Sequence, residues 1–159
     1  MNPLVAALAN AALVVVAAAP PPLDLPAFLT GRSHADNQLK IIFHGACPLI
    51  VDSVGRREGA AFVQVDTVHE CDKPVRTRVW RMHEISPSHY GGTLSDAAGP
   101  VDIAVSGNAA TIRYKMKGGL DIVETMQLQR DGKTLSNHVV AKKFGLTFAH
   151  VDGTIRKLD

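Results

Sequence analysis

Apolar and polar residues alternate with a period of two in many short segments of this sequence, and this pattern restricts the chain to β-structure. Successive side chains of a strand point to opposite faces, so such segments are typical of half-buried strands. The residues that share a face are Val63, Val65, Thr67, His69 and Cys71 in one segment, Val101, Ile103 and Val105 in a second, Ile112, Tyr114 and Met116 in a third, and Leu120, Ile122, Glu124, Met126 and Leu128 in a fourth.

Turn-forming residues separate these segments at short intervals. They occur as "GRREG", "SPSHYGG", "AAGP", "SGN", "KGG" and "RDGK". Eight or more short strands joined by hairpins predict an all-β fold, either an antiparallel up-and-down barrel or a sandwich. One short helix is predicted from Leu25 to Thr30, with Asp24 as its N-cap and Gly31 as its C-terminal stop.

The N-terminal segment "MNPLVAALANAALVVVAAAPPP" has the composition of a secretory signal peptide. It contains no charged side chain, and its apolar run ends in small alanines before three prolines. We predict cleavage after Ala18, which leaves a single domain over residues 19–159. No cysteine follows this segment before Cys47. We therefore predict a soluble periplasmic protein without a lipid anchor.

Export determines how the two cysteines are interpreted. An oxidising compartment allows Cys47 and Cys71 to form a disulfide, which would stabilise the fold by ~3 kcal/mol. The alternative is a pair of buried, unbonded thiols. Neither cysteine lies in a catalytic motif.

Composition and motifs exclude several functional classes. The sequence has no P-loop, Rossmann glycine motif, G-x-S-x-G or H-E-x-x-H, so we predict no cofactor. A net charge of +2 and 5% aromatic residues argue against a nucleic-acid partner. No metal site is predicted, because the histidines show no ligand spacing: His34, His44, His69, His83, His89, His138 and His150.

One strand face carries three basic residues, Arg113, Lys115 and Lys117. Such a face is either a solvated surface or a peripheral contact with anionic lipid headgroups.

Several segments resemble a known family: "AFLTGR", "TRVWRM", "GGTLSDAAGPV", "GNAATIRYKMKGG", "DGKTLSNHVVAKKFG" and "TIRK". From about Leu23 to the C-terminus they are similar to the proteobacterial cell-envelope proteins called domain of unknown function 3833. The positions that match are Arg78, Trp80, Gly107, Asn108, Tyr114, Asn137, Lys143 and Gly145. The resemblance implies a lipocalin-like (calycin-like) up-and-down β-barrel and a link to the modification of fatty acids or membrane lipids, with no defined activity.

The segment "TRVWRMHEI" contains the only tryptophan of the chain, Trp80. In a strand, Arg78, Trp80 and Met82 share one face, so Arg78 can stack on the indole. Two interpretations are open. The pair either closes one end of the barrel, or it lines a cavity in which Arg78 meets the polar end of a ligand.

These residues lead to three functional hypotheses. The first is a binder of a fatty-acid-like or other apolar ligand, with Arg78, Trp80, Met82, Tyr114 and Asn137 as lining residues. The second is an enzyme that acts on an envelope lipid, with Glu124 or His138 as acid/base near Lys143 or Arg78. The third is a filled barrel that acts through protein partners.

Overall fold

The structure, a computed structural model, describes residues 16–159. Within this range the chain forms ten strands and one short helix. The elements are α1 (Leu25–Leu29), β1 (Gly31–Ile41), β2 (Ala46–Glu58), β3 (Ala61–Glu70), β4 (Arg76–Ser86), β5 (His89–Leu94), β6 (Val101–Ser106), β7 (Ala109–Lys115), β8 (Asp121–Leu128), β9 (Thr134–Lys143) and β10 (Leu146–Lys157).

Each strand pairs antiparallel with its neighbours in the sequence, and β1 pairs with β10 to close the barrel. The alternating pattern therefore predicted the correct class, and closure leaves no unpaired sheet edge. The ladder is regular except for register shifts between Glu84 and Ser86 and between Thr147 and Ala149.

The predicted helix is confirmed almost to the residue. Asp24 is the N-cap and accepts a hydrogen bond from the Ala27 amide at 3.0 Å. Leu25, Phe28 and Leu29 are buried, so α1 closes one end of the barrel. The helix lies directly on β2, where a Cβ on Gly55 would come within 2.0 Å of the Leu29 carbonyl oxygen.

The opposite end of the barrel is its mouth, which we define by the loops 42–45, 71–75, 95–100, 116–120 and 144–145. Cys47 and Cys71 form a disulfide at this end, between β2 and the residue that follows β3. Among the described residues, no helix is both long and apolar enough to cross a membrane. Residues 1–15 of the predicted signal peptide lie outside the described residues, so the signal peptide stays a prediction.

In three of the four alternating segments, the residues that the pattern places on one face point inward, among them Ile103, Ile112 and Glu124. In β3 the inward face is instead the even-numbered one, which carries Phe62, Gln64, Asp66 and Val68. Thr67 and His69 are exposed on the outer surface, because the polar residues of this strand pair with one another inside the barrel.

Candidate functional site

The barrel encloses a cavity of about 560 Å³. It extends from Leu25 and Leu29 of α1 to Lys73 and Lys117 in the loops of the mouth. This volume lies within the range of small-molecule sites, about 300–1,000 Å³. The barrel is therefore not filled by its own side chains.

Two apolar clusters line this cavity, one toward the helix and one toward the mouth. The cluster near the helix includes Trp80, Met82, Ile103, Ile112, Met126 and Ile155. The cluster near the mouth includes Leu39, Ile122, Ala141, Ala149 and Val151. A belt of polar side chains at the middle of the strands separates them, so the cavity is amphipathic along its axis.

Asp66 is the centre of this polar belt and is fully buried. Its Oδ1 accepts hydrogen bonds from Ser53 Oγ and Gln64 Nε2, both at 2.7 Å. Its Oδ2 accepts from Arg78 Nε and Trp80 Nε1, both at 2.9 Å. Both oxygens of the buried carboxylate are thus satisfied by donors from three adjacent strands.

Arg78 has two partners in the cavity wall. Its Nη2 lies 2.8 Å from Asp66 Oδ2, and its guanidinium carbon lies 5.4 Å from the centroid of the Trp80 ring. The predicted cation–π contact is therefore present, but the ion pair with Asp66 fixes the guanidinium. Tyr114 packs edge-on against Trp80 at 5.8 Å between ring centroids.

Glu124 lies in the same belt, and burial raises the pKa of its carboxyl group. The positive charge of Arg78 opposes this shift, the negative charge of Asp66 adds to it, and a contact with Asn137 opposes it. Burial also raises the pKa of the Tyr114 phenol, and the neighbouring Glu124 acts in the same direction. Both groups are therefore biased toward their neutral forms, which can donate a hydrogen bond.

Two buried acceptors in the belt have no hydrogen-bond donor within the described part of the chain. They are Gln64 Oε1 and Asn137 Oδ1. Buried acceptors are usually paired, because an unsatisfied one costs about 1–3 kcal/mol. Their positions on the cavity wall indicate where a donor group of a ligand would be stabilised.

A network of ion pairs lies at the mouth. Arg76 pairs with Asp96 and, at 3.4 Å, with Glu70, which also pairs with Lys73. All four residues line the cavity at its open end. They form a polar collar between the apolar interior and solvent.

The structure brings together most of the residues singled out in the sequence. Lining the cavity are Arg78, Trp80, Met82, Tyr114, Asn137 and Glu124. His138 does not line the cavity, because it follows Asn137 directly in β9 and therefore points outward, where its Nδ1 lies 2.5 Å from Asp152. Lys143 is also outside, at the mouth, with its Nζ 5.9 Å from the Phe144 ring centroid. Among residues 16–159, no three His, Cys, Asp or Glu side chains converge as a metal site would require.

Sequence reasoning missed the two central members of the belt, Asp66 and Gln64. The available signal was that Gln64 and Asp66 share one face of β3 with the apolar Phe62 and Val68. Strand parity groups Gln64 with Asp66, but it cannot tell which face of a strand looks inward.

A family model for a protein of unknown function, DUF3833, matches residues 3–157 of the chain. The chain belongs to the DUF3833 family. This membership agrees with the resemblance seen in the sequence, and it carries no activity with it. No curated protein matches this DUF3833 chain.

Solved structures show the same fold at low sequence identity. Rv2717c from M. tuberculosis superposes with a TM-score of 0.62 and 10% identity over 83% of this chain and 94% of its own. A protein of unknown function from the DUF3598 family of Nostoc punctiforme has a TM-score of 0.60 and 9% identity, over 87% of this chain and 50% of its own. The DUF3833 chain thus shares a calycin-like barrel with proteins whose sequences have diverged from it.

The Cys47–Cys71 disulfide indicates an oxidising, extracytoplasmic compartment, since cytosolic thiols are kept reduced. This agrees with the export predicted from the N-terminal segment.

We predict that Asp66→Ala lowers the free energy of unfolding by ~3–5 kcal/mol, because it leaves the Arg78 guanidinium without its charged partner inside the barrel. Urea unfolding followed by circular dichroism measures this loss. The matched control is Asp152→Ala, which breaks an exposed pair with His138 and should cost less than ~1 kcal/mol. Equal losses in the two variants would contradict a central role for Asp66.

The raised pKa of Glu124 makes stability depend on pH. The native state holds this proton more tightly than the unfolded chain, whose value is near 4.5, so ionisation above that pH destabilises the fold. We expect Glu124→Gln to be more stable than the parent at about pH 8, by ~1.4 kcal/mol for each unit of pKa difference, and the gain to vanish near pH 4. Urea titrations at both pH values test this. Glu84→Gln, the same change at an exposed position, is the matched control.

Proposed function

We propose that this protein is an exported, periplasmic barrel that binds a fatty-acid-like or other apolar ligand and serves envelope lipid metabolism. The observation that carries the proposal is the cavity of about 560 Å³, which is lined by apolar side chains and crossed by one polar belt. A ligand with an apolar chain and a single polar end matches this distribution.

The polar end of the ligand is best placed at the belt. Arg78, Glu124 and Asn137 line the cavity there, and the apolar cluster near the mouth provides a wall for the chain. In this orientation the ligand contacts Trp80 and Tyr114 on one side and Ala141 and Val151 on the other.

The charges of the belt favour an uncharged polar end. Asp66 and Arg78 neutralise one another, and burial keeps Glu124 biased toward its neutral form. A carboxylate would add a net negative charge to this buried site, whereas a hydroxyl or amide donates to the free oxygens of Gln64 and Asn137. A fatty alcohol or a monoacylglycerol therefore fits better than an ionised fatty acid.

Trp80 reports on ligand binding because it is the only tryptophan and lies in the cavity wall. We expect a saturable change in its emission when the delipidated protein is titrated with a monoacylglycerol or fatty alcohol. A fatty acid of equal chain length should bind about ten-fold more weakly at neutral pH. Ala141→Phe narrows the cavity and should abolish the change, whereas Ala104→Phe adds the same ring to the outer surface and should preserve it.

Two results would contradict parts of the proposal. Tighter binding of the fatty acid would refute the uncharged polar end and leave the apolar site intact. No saturable change with any of these ligands, in a protein shown to be folded, would refute the binding function and favour a barrel that acts through protein partners.

One observation favours a second candidate, an enzyme that modifies an envelope lipid. Glu124 combines burial, a raised pKa and a nearby guanidinium, as general acids and bases do in active sites. Incubation with a lysophospholipid, followed by chromatography of the products, tests this candidate. Turnover that Glu124→Gln removes would support it, and the absence of turnover in the parent protein would eliminate it for this substrate.

A further inference from the structure

The exposed phenylalanines of the chain all lie at the mouth of the barrel. All five phenylalanines fall within the described residues, and Phe28 and Phe62 are buried. Phe43 is 96% exposed and Phe144 92% exposed, and Phe148 is partly exposed. With Ile42 and Leu146, also exposed, they form a surface that we call the aromatic rim: Ile42, Phe43, Phe144, Leu146 and Phe148.

The aromatic rim is contributed by two neighbouring hairpins. Phe43 lies in the loop between β1 and β2, and Phe144 in the turn between β9 and β10. Because β1 pairs with β10, the two hairpins stand side by side, and the Ile42 amide donates to the Phe148 carbonyl at 2.9 Å. The tips therefore project from one sector of the mouth. Ile41 and Phe148 also line the cavity, so the rim continues into the apolar interior.

The backbone at both tips is unfavourable for phenylalanine. Phe43 has φ 65° and Phe144 has φ 52°, in the left-handed region that bulky side chains rarely adopt. Phe144 and Gly145, with φ 78°, form a two-residue hairpin turn in which asparagine is usual at the first position. Both rings are almost fully exposed, so they bury little apolar area within the barrel and are available to a surface outside it.

The turns at the other end of the barrel differ in composition. They use Gly59, Ser88, Gly107, Asn108 and Gly132, which are ordinary turn residues. Basic side chains occur at both ends, but exposed aromatic ones occur only at the mouth among residues 16–159.

The two hairpins that carry the aromatic rim have charged side chains of one sign, and the adjacent Asp121 of β8 is paired with Lys115. The segments 39–47 and 139–150 contain no acidic residue. Lys40, Lys142 and Lys143 are exposed on these hairpins, together with His44 and His150. Projecting apolar side chains surrounded by lysines match the interface of an anionic bilayer, where rings enter the acyl boundary and ammonium groups meet phosphates.

We propose that the aromatic rim docks the mouth of the barrel onto the surface of an anionic lipid bilayer. The rim projects outward instead of forming a groove, which favours a deformable bilayer over a protein partner as the surface that it meets. Docking brings the cavity mouth against the bilayer, where an apolar ligand is dissolved. The proposal does not depend on ligand binding in the cavity, since attachment to vesicles is measured separately from the change in Trp80 emission.

Vesicle flotation tests this proposal. The purified protein is mixed with phosphatidylcholine vesicles, with or without phosphatidylglycerol, at low and high salt. We expect flotation with the anionic vesicles that weakens as salt rises. The double variant Phe43→Asn/Phe144→Asn introduces a residue that tolerates positive φ, so it should fold. We expect its affinity for the anionic vesicles to be at least about ten-fold lower than that of the parent protein. Its control, Ile85→Asn, removes an exposed apolar side chain away from the mouth and should bind as the parent does.

A charge variant gives a second, independent readout. Lys40→Glu/Lys143→Glu should remove the preference for anionic vesicles, whereas Lys133→Glu, at the helix end of the barrel, should leave it unchanged. The N-terminal segment is common to all variants, so differences between them report on the rim. Equal flotation of the parent and the Phe43→Asn/Phe144→Asn variant would overturn the proposal. The proposal would also be overturned if the parent protein did not bind vesicles and instead self-associated through these rings.

Discussion

The interior of this barrel depends on the carboxylate of Asp66. Without it, the guanidinium of Arg78 and the indole N–H of Trp80 would both lose their hydrogen-bond acceptor inside the wall. A buried ion pair adds little net stability, yet removal of one partner is expensive, so such a pair specifies one arrangement of side chains. Here the pair fixes the orientation of Trp80, against which Tyr114 packs. The shape of the cavity at mid-height is thus set by hydrogen-bond geometry as much as by apolar packing.

The polar belt places hydrogen-bonding groups in a cavity whose remaining wall is mostly apolar. The charges of Asp66 and Arg78 cancel one another, and burial raises the pKa of Glu124, which favours its neutral form. The belt therefore offers hydrogen-bond donors and acceptors with almost no net charge. A site of this kind would distinguish ligands by whether their polar groups pair with those of the belt. A buried polar group left unpaired, on the ligand or on the protein, lowers the affinity.

Much of the fold could be predicted from the sequence, because alternation and turns are local signals. The helix at Leu25, the inward position of Glu124 and the shared face of Arg78 and Trp80 all follow from them. The polar belt could not be predicted in this way, because its prediction depends on which face of β3 points inward, and tertiary contacts decide that. Val63 and Val65 suggested one face, and the ion pair between Asp66 and Arg78 on the neighbouring strand selects the other. Asn137 and His138 are adjacent in β9, so only one of them can face the cavity. The alternation along the strand does not tell which one does.

The disulfide restrains one sector of the cavity mouth. Cys47 and Cys71 join β2 to the loop after β3 at the mouth, and the Cys71 amide also donates to the Pro48 carbonyl at 2.9 Å. That sector of the mouth is covalently held. The loop 116–120 contains Gly118 and Gly119 and has no such link, and the β9–β10 hairpin of the aromatic rim also lies outside the disulfide loop. The covalent link therefore restrains only the β2–β3 sector of the mouth, so any widening of the opening would have to occur in its other sectors.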